Sequence, residues 1–221
     1  MIIDVPVLLP NNMKTPKKPP FKYAGSKARM LKKYAASGFL VQEPKMFVDM
    51  FAGSAQVAYW IRSIYPDIPI VINDLNSELL QLYDVMMKHT KEYQAYGREL
   101  LKPYLAITPP PKPQISPERK EYYYSLRQRY WDRDFQNEVE ESALLMFMMR
   151  INFNGFWGQS KKYPDRYGTS AGNMWWKKEW FEKLEVQEID FIEFLKSCII
   201  TEESYENTVK WADEKVWMYA D

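Results

Sequence analysis

The chain has 221 residues, 46% hydrophobic and 27% charged, with a formal net charge of +1, a composition that supports a folded core and argues against disorder. No run approaches the ~20 apolar residues of a membrane span, and the start Met1-Ile2-Ile3-Asp4-Val5 lacks the basic region and cleavage site of a signal peptide, so a cytoplasmic protein is expected. Cys198 is the one cysteine and His89 the one histidine, which excludes an internal disulfide or Cys/His zinc site and weighs against Ser-His or Cys-His nucleophiles.

Residues 1–20 read as an extended, flexible arm because of Pro16, Pro19 and Pro20. From Lys14 to Lys33 eight basic residues occur with no acidic one; such a run either tracks phosphates or simply solubilises the arm. Residues 26–39 read as a basic helix after the loop Lys22-Tyr23-Ala24-Gly25-Ser26-Lys27. Met46-Phe47-Val48-Asp49-Met50-Phe51 is a short apolar strand closed by Ala52-Gly53-Ser54, and residues 55–61 have helical character. A second buried-type strand at 68–72 ends on Asn73-Asp74, and helical spacing resumes over 77–87. This β-α-β-α order predicts a parallel sheet.

Pro109-Pro110-Pro111-Lys112-Pro113 breaks the chain, and 116–150 reads as helices rich in Tyr, Arg and Glu. Met146–Met149 reads as core. The stretch 152–168 is a loop dense in turn formers, aromatics and bases. Amphipathic helix follows over 175–194, then a strand at Cys198-Ile199-Ile200, a helix near 205–211, and a last strand ending on Asp221.

A strand, a glycine loop and a helix, followed by a carboxylate at the tip of the next strand, is how α/β sheets hold adenosine-type cofactors. Asp74 lies 21 residues beyond Gly53, close to the ~20 typical of such units. An ordinary tight turn with an acidic cap has the same pattern. The single glycine argues against a phosphate cradle, and S-adenosyl-L-methionine, which carries no phosphate, fits better.

Taken together, Phe21-Lys22-Tyr23-Ala24-Gly25-Ser26-Lys27, Phe47-Val48-Asp49-Met50-Phe51-Ala52-Gly53-Ser54, Asn73-Asp74-Leu75-Asn76 and Arg150-Ile151-Asn152-Phe153-Asn154-Gly155 resemble, in order and spacing, the Dam-type (D12 class) adenine-specific DNA N6-methyltransferases over about 21–221. The resemblance implies an α/β fold with a Rossmann-like sheet, incomplete at its C-terminal half, and a mainly helical insertion. It implies a cofactor-binding part over 21–85, a DNA target-recognition insertion over 86–172, and a return to the methyltransferase domain over 173–221. Tyr23, Lys27, Phe51, Gly53 and Asp74 would hold S-adenosyl-L-methionine, with Tyr23 packed on it, Lys27 near its carboxylate and Asp74 on the ribose or amino-acid portion. Asp221 would be catalytic, as the first residue of the family's Asp-Pro-Pro-Tyr motif, whose Asp accepts a hydrogen bond from adenine N6; Pro, Pro and Tyr are absent here.

The insertion would contact double-stranded DNA. Arg127, Arg129, Lys161, Lys162 and Arg166 are its candidate phosphate or base contacts, with Arg119 and Arg133 in the same group, although interleaved acidic residues make salt-bridged surface an equal reading. Asn154 joins the DNA-binding set, or shapes a turn with Gly155. No metal is implied. The last strand is expected to have an unpaired edge, and the implied partners are DNA and a downstream polypeptide that completes the domain. The competing function is a catalytically inactive DNA- or cofactor-binding protein of the same descent.

Overall fold

Two apolar tetrapeptides form the centre of a four-stranded sheet in the computed structural model, which describes residues 17–27, 30–36, 43–109, 111, 116–158, 168, 170–172 and 174–220. Strands β1 (Met46–Asp49) and β2 (Ile70–Asn73) are almost wholly buried, as expected of central strands covered on both faces. Strands β3 (Cys198–Thr201) and β4 (Val216–Tyr219) flank them in the order β3-β2-β1-β4, and every pairing is parallel. The predicted parallel sheet is present. Among the described residues β4 is an edge strand, half-exposed along its length. Short helices accompany the strands: α1 (Leu31–Ala36) precedes β1, α2 (Gln56–Ile64) lies between β1 and β2, and α8 (Tyr205–Thr208), followed by a 3-10 turn at Val209–Trp211, lies between β3 and β4.

The contacts divide the chain into two compact units. The sheet unit comprises residues up to Pro19, Ser26–Asn76 and Ser197–Asp221; the helical unit comprises Pro20–Gly25 and Ser77–Lys196. The helical unit contains α3 (Ser77–Lys88), α4 (Thr90–Ala106), α5 (Pro117–Trp131), α6 (Glu138–Ile151) and α7 (Lys178–Lys196). It is wider than the 86–172 stretch that the resemblance assigns to DNA recognition.

Helix α6 is central. It is buried on nearly every side from Glu141 to Met149 and packs against α3, α4 and α5, so Met146–Met149 are core as expected. Asn137 starts it by accepting from the N–H groups of Val139 and Glu140, both at 3.0 Å, and three glutamates in its first turn complement the helix dipole. Ser116 caps α5 with Pro117 in the first turn.

One local expectation needs correction. Sequence reading leaves residues 88–108 unassigned, whereas α4 occupies most of them, because Gly97 and Pro103 hide a buried stripe of Tyr93, Leu100 and Tyr104. Burial of that stripe outweighs the poor local propensity. Of the predicted arm, residues 1–16 lie outside the described residues; at its end Lys17 and Lys18 are exposed, Pro19 and Pro20 are buried, and the Lys17 carbonyl accepts from Gln56 Nε2 at 2.7 Å. Proline lacks an N–H to satisfy and is readily buried where the chain is already extended.

Candidate functional site

The sheet unit concentrates polar groups where β1 and β2 end. Asn73, the last residue of β2, is 1% exposed, and its amide is fully used. Nδ2 donates to the carbonyls of Met50 at 3.1 Å and Glu203 at 2.9 Å, while Oδ1 accepts from Thr201 Oγ1 at 2.8 Å and Glu203 N at 2.9 Å. Its own carbonyl accepts from Ala52 N at 2.8 Å, and Met50 N donates to the Tyr219 carbonyl at 2.9 Å. Three strand ends are thereby stitched around one side chain, and Met50 ties in the fourth, that of β4. Asn73 is structural, and the carboxylate beside it is left to face the loop.

Asp74 Oδ2 accepts from Gly53 N at 2.7 Å and Oδ1 from Asn76 N at 2.9 Å. The residues paired by spacing are therefore in direct contact. Gly53 has φ 48°, in the left-handed region. Its N–H, the natural donor for a phosphate, is already committed to a carboxylate.

The loop opens α2 from an unusual start. Ala55 sits at the N-cap with φ 52° and ψ 26° and no side-chain cap, a conformation that costs an L-residue roughly 1–2 kcal/mol. Ala55→Gly should relieve it, with a net gain of roughly 0.5–1 kcal/mol after the added chain entropy of glycine; thermal denaturation should show a melting temperature higher by about 2 °C.

Asp49, which sequence reading left without a role, lies under this loop at 2% exposure, and its Oδ1 has no hydrogen-bond partner. Burial pushes its pKa up to about 7; nearby Asp74 adds to the rise, and the backbone N–H groups of Ala58, in the first turn of α2, and of Phe51 oppose it. The sequence signal was available, a carboxylate inside an otherwise apolar strand, but the hydrophobic run around it reads only as core. In register Asp49 lies opposite Tyr219 of β4, whose hydroxyl is 3.2 Å from that of Tyr34 on α1. Phe51 is 47% exposed and its ring is 5.9 Å from that of Tyr205. Two carboxyl groups, a committed glycine amide and an exposed aromatic ring suit a ligand with positive charge or hydroxyl donors and no phosphate. Lys27 is half-buried in the same unit.

The helical unit joins two motifs that are far apart in sequence. Residues 20–25, which carry Tyr23, form a strap docked on the turn that ends α6. Arg150 Nε donates to the Pro20 carbonyl at 3.1 Å, Lys22 Nζ to the Asn152 carbonyl at 3.3 Å, and Ala24 N to the Gly155 carbonyl at 2.8 Å. Asn152 holds the turn itself: Oδ1 accepts from Gly155 N at 3.0 Å and Nδ2 donates to the Phe156 carbonyl at 3.2 Å. Asn154 and Gly155 have φ 53° and 70°. A Cβ on Gly155 would lie 2.6 Å from both Lys22 C and Tyr23 N. Asn154 therefore shapes a turn, and Phe153 and Phe156 beside it are each 53% exposed. Tyr23 is half-buried with Phe21 edge-on at 6.4 Å. Lys22 lies 4.8 Å from the Trp176 ring centroid, and burial lowers its pKa to about 8.

The arginines of α5 and of the turn that follows it divide sharply. Arg119 is 2% exposed, donates to the carbonyls of Ile107, Met174 and Trp176 at 2.8–3.0 Å, and lies 4.2 Å over Tyr104. It is a core staple, which corrects its grouping with DNA contacts. Arg129 donates through Nε to the Asp134 carbonyl at 2.7 Å and pairs with Glu140 at 3.1 Å, and Arg133 pairs with Glu141 at 2.6 Å. Arg127 is held between the rings of Tyr124 at 4.6 Å and Trp131 at 4.4 Å. Lys161, Lys162, Arg166 and Asp221 lie outside the described residues. No helix among the described residues is long and apolar enough to cross a membrane.

Comparison with known proteins bears on both units. Residues 23–221 match the family described as D12 class N6 adenine-specific DNA methyltransferase. The DNA adenine methylases of Salmonella typhi and Escherichia coli (strain K12) are each 24% identical over 203 residues, covering 90% of this chain and 62% of the relative. Type II methyltransferase M1.LlaDCHI of Lactococcus lactis subsp. cremoris is 30% identical over 157 residues, which are 68% of this chain and 48% of the relative. The chain thus spans about 62% of the length of the DNA adenine methylases it matches. The match runs through the glycine loop, the strap and the α6 turn alike, and the chain belongs to the D12 class N6 adenine-specific DNA methyltransferase family.

Proposed function

We propose that this chain binds S-adenosyl-L-methionine and double-stranded DNA as part of an adenine N6-methyltransferase. The observation that carries the cofactor reading is the loop at Gly53, whose amide is taken by Asp74 while Asp49 lies beneath with an unpartnered oxygen. A phosphate would meet two acids there and no free glycine N–H. A methyl donor with a ribose diol, an ammonium and a sulfonium meets groups that can accept from it or offset its charge.

When bound, the cofactor supplies an electrophilic methyl group. Asp74 keeps the Gly53 loop in place and has lone pairs left for ribose hydroxyls or the ammonium. Phe51 offers an apolar face to the adenine ring, Tyr23 packs on the cofactor and Lys27 pairs with its carboxylate. Asp221 accepts a hydrogen bond from adenine N6 and so directs its lone pair to the methyl group. Extrusion of that base from the duplex costs a few kcal/mol, offset by contacts in the pocket. For DNA, Lys161, Lys162, Arg166 and Arg127 are the phosphate or base contacts we favour within 86–172, with Arg129 contributing where its pairing to Glu140 opens. Asn154 acts by presenting the loop that begins at Phe153. A polypeptide pairing with the outer edge of β4 would complete the sheet, and the setting is the cytoplasm of a bacterial or phage-infected cell.

Calorimetry with S-adenosyl-L-methionine tests the site. Asp74→Ala should weaken binding at least about tenfold, since it frees the Gly53 loop and removes an acceptor worth ~1–3 kcal/mol; unchanged affinity would remove Asp74 from the site. Transfer of labelled methyl groups to adenine-containing duplex DNA tests the activity, with the chain alone and with a polypeptide supplying the remainder of the domain. Salt-sensitive DNA binding with no transfer in either case would instead favour the inactive binding protein.

A further inference from the structure

Arg150 and Glu188 form a buried ion pair that neither the cofactor reading nor the DNA reading uses. The Arg150 side chain is 11% exposed and that of Glu188 2%. Arg150 Nη2 donates to Glu188 Oε1 at 2.5 Å, Tyr93 Oη donates to the same oxygen at 2.8 Å, and Gln94 Nε2 donates to Oε2 at 3.3 Å. The cluster joins α4, α6 and α7. Such a pair is weak evidence for stability, because desolvation of the two charges cancels much of their attraction. What the pair does have is a direction. With Nη2 fixed on Glu188, the guanidinium plane is set, and Nε points to the Pro20 carbonyl at 3.1 Å.

Pro20 is the first residue of the strap, and its position suits this device. Proline fixes φ on one side of the carbonyl, and a planar fork of donors reads that carbonyl from a defined direction. The far end of the strap is pinned by Ala24 N on the Gly155 carbonyl at 2.8 Å, and Phe21 packs edge-on against Phe191 of α7 at 6.1 Å. Glu188 and Phe191 lie one helical turn apart on α7, so the ion pair and the ring contact grip neighbouring points of the same segment.

We propose that Arg150 and Glu188 are positioning residues that set the strap carrying Tyr23, and thereby the affinity for the methyl donor. The inference rests on the cofactor reading of the strap. The test replaces the pair together with the hydroxyl that donates to it: Tyr93→Phe, Arg150→Met and Glu188→Met in the full chain, which leaves the half-buried Gln94 amide to solvent and the Pro20 carbonyl without its guanidinium donor. Since buried pairs tolerate apolar replacement of similar volume, the melting temperature should stay within a few degrees of the parent. Amide exchange at Ala24 should become at least about tenfold faster, and S-adenosyl-L-methionine should bind at least about tenfold more weakly. Normal Ala24 exchange in the folded variant overturns the proposal. So does faster exchange with unaltered donor affinity. If the parent chain binds no donor, the cofactor reading fails on its own, while Ala24 exchange still decides whether the pair sets the strap. Should the triple variant not fold, Arg150→Lys retains the charge beside Glu188 but cannot hold Glu188 and Pro20 together; Ala24 exchange should then rise several-fold, and no rise overturns the proposal.

Discussion

Gly155→Ala is expected to be among the most damaging single substitutions in the helical unit, lowering its stability by roughly 2–4 kcal/mol. Two costs combine. The residue has φ 70°, where an L side chain costs roughly 1–2 kcal/mol, and its Cβ would lie 2.6–2.7 Å from Lys22 C, Tyr23 N and Lys22 Cβ. Two of those three atoms are backbone, so rotamer changes give no relief and the strap itself must shift. Urea denaturation should record the loss in midpoint. Under the cofactor reading, donor affinity falls as well, because Tyr23 follows the same two backbone atoms. A variant with the parent's midpoint would mean that the strap is not held in contact with this turn.

Asp49→Asn should have the second large effect, in the opposite direction. The ordinary carboxyl pKa of 3.8 rises to about 7 in the folded chain, mainly through burial and further through Asp74. The folded state therefore keeps a proton that the unfolded state has released across this interval. The contribution of Asp49 to stability is greatest below about pH 4, falls as pH rises to about 7, and is flat above that. A shift of this size corresponds to a ceiling of about 4 kcal/mol. Asparagine does not ionise, so Asp49→Asn should lie below the parent near pH 4, by the hydrogen bonds a buried amide lacks, and exceed it above pH 7. The gain should be roughly 1–3 kcal/mol once the hydrogen bonds a buried amide lacks are counted. Denaturation midpoints from pH 4 to 8 check the shape as well as the size. A cationic donor stabilises the ionised acid, so affinity in the parent should tighten from pH 6 to pH 8 and that trend should vanish in the variant.

Most strands and helices were legible before the structure because their signals are local. Met46–Phe51 and residues 68–72 are short apolar runs bounded by glycine, asparagine and aspartate, and each forms a buried parallel strand. Pro117 and Asn137 mark helix starts by their own chemistry. Helix α4 was not legible, since Gly97 and Pro103 carry a local signal against it and the stabilising burial of Tyr93, Leu100 and Tyr104 comes from other helices. The site divides in the same way. Gly53 and Asp74 were paired by spacing, and the 2.7 Å hydrogen bond follows from two adjacent parallel strands ending side by side.

Arg119 and Arg129 look alike in sequence, each in a run of tyrosines and acids. One is buried on three backbone carbonyls and the other is paired with Glu140. Nothing local distinguishes them, because the partners come from residues 107, 174 and 176 in one case and from the start of α6 in the other. Asp49 was hidden for a related reason: its raised pKa depends on what covers it, not on its neighbours in the chain.

The sequence by itself determined the family, the parallel α/β sheet and the carboxylate poised at the glycine loop, because those depend on residue order, short-range periodicity and fixed spacing. Only the tertiary structure decided which charges are buried, which arginines are already occupied, and that residues 20–25 and 150–155 form one construction. Those outcomes depend on desolvation and on contacts between residues about 130 positions apart, where the energy belongs to a pair and neither partner's segment carries it alone.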